Sequence, residues 1–265
     1  VEYKDLMGRI GRLETPQGKV ETPAIMPVVN PRLLLIEPKD LRKFGAEMLI
    51  TNSYIIYRTP ELREKALSGG VHRLLDIDLP VMTDSGAYQL SQYGKLEVTS
   101  FGILEFQMKI GSDIAVPLDI PTPPDVERET AREEMEITIE RLKEARNALS
   151  KSDMLLAGPV QGSTFLDLRT ECAKKASEIG FDVYAIGAVV PLMEGYRFSE
   201  LVDIIIAVKQ ALPPCAPVHL FGAGHPMMLG IAVALGCDLF DSAAYALFAK
   251  DGRYLTASGT CKLED

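Results

Sequence analysis

Two runs, Thr83-Asp84-Ser85-Gly86 and Phe240-Asp241-Ser242, each set an aspartate where an apolar, strand-like stretch gives way to small residues. An acid is costly inside an apolar strand. At the strand's end it can reach solvent and substrate while the strand holds it still. Two such acids, far apart in sequence, suit acid/base or nucleophilic work at a glycosidic or similar bond. Other apolar runs also end on polar or small residues: Asn52, Asp119, Gln161, Gly187-Ala188 and Gly222-Ala223-Gly224-His225. Each has a plainer reading alone. Asp-Ser-Gly is good turn or cap chemistry, Asp119 before Ile120-Pro121 can start a rigid loop, Gln161-Gly162-Ser163 can be a turn, and His225-Pro226 can begin a helix. Tyr88 is ordinarily a core aromatic, but beside a planar ligand it is a stacking platform, and the Gln161 amide is a good reader of a base edge. Asp238 competes with Asp241 but falls at the start of its strand.

The elements that must hold these groups alternate. Strand-like runs cover 23–29, 47–52, 80–84, 114–119, 154–161, 183–190, 218–222 and 238–242, and helical patterns lie between them, as in a parallel α/β fold. Eight strands close a (β/α)8 TIM barrel, whose active site sits at the strands' C-terminal ends, so the polar strand ends converge on one rim. Helices are predicted over 125–149, with a solvated charged face, and over 166–178, 198–212 and 225–235. Residues 8–20 alternate around a Pro-Gln-Gly turn and read as a hairpin, so residues 1–21 are expected to cap a barrel that runs from 22 to 265. After the eighth strand too little chain follows for an obvious eighth helix, and the barrel is expected to be incomplete at its C-terminus.

Composition narrows the function classes. The 265 residues are 47% hydrophobic and 25% charged, ordinary for a globular chain with a substantial core. No apolar run nears the roughly 20 residues that span a bilayer, and the start lacks a signal pattern, so a soluble, cytoplasmic protein without a membrane partner is expected. Cys172, Cys215, Cys237 and Cys261 are widely spaced and read as reduced thiols. A net charge of −9 argues against a large nonspecific nucleic-acid surface, though not against a local basic groove.

At these residues the chain resembles the tRNA-guanine transglycosylases, and among them the archaeal, archaeosine-forming branch. The resemblance rests on Thr83-Asp84-Ser85-Gly86-Ala87-Tyr88-Gln89-Leu90, on Val160-Gln161-Gly162-Ser163 with Asp167-Leu168-Arg169, on Ile186-Gly187-Ala188-Val189, and on the runs 219–226 and 238–246. It implies a barrel that exchanges a D-loop guanine of tRNA for 7-cyano-7-deazaguanine without cutting the phosphodiester chain. By that resemblance Asp84 and Asp241 are the catalytic pair, one bonding covalently to ribose C1′ and the other moving protons, with Asp241 the favoured nucleophile. Asp119 and Gln161 would bind the base edge, Gly187, Ala188 and Val189 would offer backbone groups, Ser85 would line the pocket and Tyr88 would stack. The expected partners are tRNA, guanine and 7-cyano-7-deazaguanine, with a homodimer as one candidate assembly. The family also implies a structural Zn2+ in the full-length protein, held by a Cys-x-Cys-x-x-Cys and a His that this chain lacks. Ala87 stands where Gly or Ser is more usual. A non-catalytic tRNA-binding paralogue and a barrel glycoside hydrolase are the alternatives, the latter disfavoured by the absence of Trp.

Overall fold

A computed structural model describes residues 1–87, 98–149 and 152–264. The chain opens with an antiparallel sheet of β1 (Tyr3–Asp5), β2 (Gly8–Glu14) and β3 (Lys19–Thr22). There follow β4 (Ala24–Val29), β5 (Leu49–Asn52), β6 (Val81–Asp84), β7 (Ile114–Ala115), β8 (Leu155–Val160), β9 (Val183–Ile186), β10 (Val218–Leu220) and β11 (Leu239–Ser242). These eight form a closed barrel of parallel strands, and β11 pairs with β4, Asp241 opposite Met26, to complete the ring. The fold is the (β/α)8 barrel that the alternation implies.

Each barrel strand is shorter than the sequence predicts, and two of them by four residues. The run at 114–119 pairs only over Ile114–Ala115, because Pro117 has no N–H for the ladder and the chain leaves the sheet toward Asp119. The run at 183–190 stops at Ile186, where Ala188 takes a left-handed φ of 58° and the chain turns into a helix over Val190–Glu194. Past β11 lies a helix, Ala244–Lys250, that the sequence pattern does not reveal; it buries no residue, so it carries no amphipathic stripe. A hairpin of β12 (Arg253–Thr256) and β13 (Gly259–Lys262) follows.

The hydrophobic core has two layers. Met26, Met48, Ile50, Met82, Ile114, Ala157, Val183 and Leu239 fill the barrel lumen, and Leu13 and Val20 of the N-terminal sheet pack into the same cluster. Alternate strand residues, such as Ile186, Val218, Leu220 and Phe240, face outward against the helices. The helix Arg128–Ala148 shows why it packs there: Ala131, Met135, Ile139, Leu142 and Ala145 recur at helical spacing and are its buried stripe. Burial of a large apolar side chain such as Met135 stabilises by about 1.5–3 kcal/mol.

The N-terminal sheet lies across the lower mouth of the barrel. Arg9 forks onto Asp238, Nε to Oδ1 and Nη2 to Oδ2 at 2.7 Å each, while its Nη1 donates to the Pro214 carbonyl at 2.6 Å. The Gln17 N–H donates to Asp113 Oδ1 at 2.7 Å. Asp238 and Asp113 immediately precede β11 and β7, so both contacts mark the N-terminal end of the barrel.

Candidate active site

The opposite rim carries the polar strand ends. Asp84 closes β6 beside Asn52, the last residue of β5 and its register partner. Asn52 Nδ2 donates to Asp84 Oδ1 at 2.8 Å, and the Gly86 N–H donates to the same oxygen at 2.7 Å. That second bond needs glycine: Gly86 has φ 82°, and a Cβ there would stand 2.4 Å from the Cβ of Tyr54. Burial pushes the Asp84 carboxyl up to about 7, and the charges of Asp241 and Asp119 add to the rise against these two hydrogen bonds. The three acids therefore share one electrostatic neighbourhood although about 160 residues separate the first from the last.

Asp241 is held differently. Its Oδ1 lies 2.8 Å from His219 Nε2 and accepts the Gly222 N–H at 2.9 Å. Gly222 has φ 70°, which turns the chain after β10 so that its N–H faces the carboxylate. Asp241 retains 9% exposure at the rim, while His219 beneath it has none.

Asp119 and Gln161 form one wall. Gln161 Nε2 donates to Asp119 Oδ2 at 2.6 Å, and burial raises the Asp119 carboxyl to about 6 against that bond. Gln161 Oε1 is buried without a hydrogen-bond partner among the described residues, an acceptor left for something else. Gly187 packs flat against this pair; a Cβ on it would lie 2.3 Å from Gln161 Nε2.

Among the described residues, only the middle one of the three backbone positions after β9 has both its N–H and its C=O without a hydrogen bond. The Gly187 N–H donates to Val160 O and its carbonyl accepts from Arg169, while the Val189 carbonyl accepts from Leu192 and Met193. Val189 itself is fully buried. Ala188 is half-buried, and neither its N–H nor its C=O is hydrogen-bonded among the described residues. Ser85 is buried with its hydroxyl on the Pro117 carbonyl at 3.3 Å, so it ties the turn after β6 to the segment after β7. Tyr88 lies outside the described residues.

Two residues near the site escape a reading of strand ends. His219 sits in mid-strand, inside the apolar run Val218-His219-Leu220-Phe221, and only its register beside β11 shows that it meets Asp241. Arg169 lies in the helix Leu166–Ile179, fully buried, and donates to the carbonyls of Ser163 at 2.8 Å, Val160 at 2.7 Å and Gly187 at 3.0 Å. It binds the chain after β8 to the chain after β9. Its only sequence signal is the Asp167-Leu168-Arg169 run. Asp238 and His225 stand apart from this chemistry: the first is the lower-mouth partner of Arg9, and the second caps the helix Pro226–Ala234.

The zinc that the resemblance implies finds no matching ligand set in this part of the chain. Among the described residues no group of three or more His, Cys, Asp or Glu side chains could hold a metal, and Cys261 stands alone on β13. Among the same residues, no helix is long and apolar enough to cross a membrane.

A closed barrel with three carboxyl groups, an edge-facing amide and an unpaired peptide at the C-terminal ends of its strands has its site where barrel enzymes carry theirs. The chain belongs to the TGT family, whose family model, described as queuine tRNA-ribosyltransferase, matches residues 5–265. It is similar to the protein named tRNA-guanine(15) transglycosylase of Methanosarcina barkeri, 64% identical over 98% of this chain and 53% of the relative. It is similar to proteins of the same name from Archaeoglobus fulgidus, 59% identical over 99% of this chain and 54% of the relative, and Pyrococcus furiosus, 58% identical over 100% and 45%. The chain thus spans about half the length of the curated relatives it matches.

Proposed function

We propose that this chain is the catalytic barrel of a tRNA-guanine(15) transglycosylase that replaces a D-loop guanine of tRNA with 7-cyano-7-deazaguanine through a covalent aspartyl-ribose intermediate, the first step of archaeosine formation. The observation that carries the reading is the unlike setting of the two carboxyl groups. Asp84, pushed up to about 7, can give and take a proton near neutral pH. Asp241 has two partners on Oδ1, His219 and the Gly222 N–H, and no hydrogen bond reaches Oδ2 among the described residues, which leaves that oxygen for C1′.

In the first half-reaction Asp241 Oδ2 bonds to C1′ as the C1′–N9 bond breaks. The electron pair leaves on guanine, which takes the Asp84 proton. In the second, the incoming base attacks C1′, the Oδ2–C1′ pair returns to the carboxylate, and the base's proton passes to Asp84. Displacement at C1′ builds oxocarbenium character, which a carboxylate stabilises and captures as in retaining glycosidases. The extruded base would meet Asp119, the orphaned Gln161 Oε1 and the free peptide groups of Ala188, a set suited to a purine edge. That set favours base exchange over sugar hydrolysis, and the intact acid pair favours catalysis over binding alone. The proposed tRNA substrate suits an enzyme of the cytoplasm.

The test is incorporation of labelled guanine into unmodified tRNA by the full-length protein. Asp84→Ala and Asp241→Ala are each expected to abolish it, and exchange surviving both would sink the reading. Sequencing the RNA-linked peptide from a denatured reaction is expected to identify Asp241.

A further inference from the structure

We infer that His219 is the positioning residue that selects which oxygen of Asp241 reacts, holding Oδ1 as a neutral Nε2–H donor so that Oδ2 alone faces C1′. The inference rests on Asp241 being the nucleophile, as proposed above. His219 projects into the lumen from β10, where its neighbours Val218 and Leu220 face the outer core. It pairs in register with Leu239, two residues behind Asp241 on the adjacent strand, so an imidazole is long enough to reach up to the carboxylate. The ring is fully buried and packs at 4.4 Å, tilted by 55°, on Phe221.

The protonation state follows from the bonding. Oδ1 already accepts the Gly222 N–H, and a carboxylate oxygen can only accept, so Nε2 must carry the hydrogen that faces it. Nδ1 is buried and has no hydrogen-bond partner among the described residues, so a proton placed there would lack an acceptor. The neutral Nε2–H tautomer is the one this site accommodates.

A neutral donor also suits the chemistry better than a cation would. Lys or Arg at this position would place a fixed positive charge beside a ribosyl centre that itself becomes positive, whereas an imidazole dipole orients the carboxylate without opposing that charge. When Oδ2 bonds to C1′, Oδ1 becomes the ester carbonyl oxygen and keeps both donors. When the ester breaks, the same donors receive the returning negative charge.

The experiment compares full-length wild type, His219→Phe, His219→Gln and Asp241→Asn in the labelled-guanine assay, alongside imidazole 15N NMR of the wild type at pH 7. Freed to rotate, Asp241 in His219→Phe should lose about 10- to 100-fold in kcat. The KM values for tRNA and guanine should stay within about threefold, and His219→Gln, whose amide can donate, should recover most of the rate. A His219→Phe enzyme with wild-type kcat overturns the inference. So does a Gln variant no better than Phe, or a wild-type ring found as the Nδ1–H tautomer or the imidazolium. If neither His219 variant folds, the wild-type tautomer decides. Exchange retained by Asp241→Asn instead refutes the nucleophile assignment, while the NMR result still reports the hydrogen bond itself.

Discussion

Gly187→Ala is the smallest change that should separate base recognition from folding. The added Cβ would lie 2.3 Å from Gln161 Nε2, 3.2 Å from its Cδ and 3.6 Å from Asp119 Oδ2. The nearest of these is about 1 Å short of normal contact, so the amide must move by roughly that much. The backbone need not follow, because Gly187 is not among the positive-φ glycines and the atom struck is the far end of a side chain. What cannot survive is the 2.6 Å bond from Gln161 to Asp119. A hydrogen bond to a charged group contributes about 1.5–3 kcal/mol, and each 1.4 kcal/mol is tenfold, so kcat/KM for guanine should fall about 10- to 100-fold. Asp119 would also lose the bond that now opposes its rise to about 6, and its carboxyl should climb further. The check is guanine exchange at varied guanine concentration, with tRNA affinity and Tm measured on the same samples. Tm should drop by only a few degrees and tRNA affinity should hold. Because the substitution acts through Gln161, the double variant Gly187→Ala/Gln161→Ala should be little worse than Gln161→Ala alone. Wild-type guanine kinetics in Gly187→Ala, or full additivity in the double variant, would refute the wall assigned to these residues.

Four further substitutions probe other parts of the molecule. Asp84 and Asp119 stand at about 7 and about 6 when folded against a reference of 3.8, so between these values the folded state holds more protons than the unfolded. Stability from these groups is therefore present in full below pH 4 and is lost as pH rises to 7, at up to about 1.4 kcal/mol per pH unit for each. Urea unfolding should show wild type gaining less from pH 5 to 8 than Asp84→Asn does, and equal pH responses would contradict the raised carboxyl. Asp238→Asn breaks the buried fork with Arg9 and should cost about 3–5 kcal/mol in chemical unfolding while kcat is kept. Asp241→Asn, three residues on, should show the reverse. Arg169→Met strips donors from the carbonyls of Val160, Ser163 and Gly187; Val160 keeps the Gly187 N–H, while the other two are left unsatisfied at about 1–3 kcal/mol each, so the variant should lower Tm and weaken guanine binding together. A Tm unchanged in that variant would show that the two loops hold without it.

How far the sequence exposes this arrangement depends on whether a residue's role shows in its immediate neighbours. Asp84, Asp119, Gln161 and Asp241 follow or end apolar runs, and the barrel rule puts all such ends on one rim, so their convergence could be read without coordinates. The limits of β7 and β9 could not be read so well. Val116 and Leu118 look like strand residues, but Pro117 removes a ladder donor, and the left-handed Ala188 has no glycine to advertise it. His219 is hidden for the opposite reason, since a histidine between Val218 and Leu220 reads as a half-tolerated core position until β10 and β11 are laid side by side. Arg169 is hidden because a helix sequence shows its own faces and not the loop carbonyls across from them. The lower-mouth contact of Arg9 with Asp238 spans 229 residues, and local pattern carries no trace of it.

The charge pattern of the two barrel ends connects these observations. At the lower mouth the buried acid Asp238 is neutralised by a guanidinium, which stabilises the capped barrel and leaves that acid inert. At the upper rim Asp84, Asp119 and Asp241 are held by Asn52, Gly86, Gln161, His219 and Gly222, and no Lys or Arg ion-pairs with any of them among the described residues. Dipoles fix the carboxyl groups without cancelling their charge. The mutual repulsion that results is what helps to lift Asp84 to about 7, and it is relieved when positive charge develops between the acids. A ribosyl centre losing its purine is such a charge. An arginine introduced at the rim would stabilise the resting fold and take away the electrostatic difference between ground state and transition state on which the proposed exchange depends.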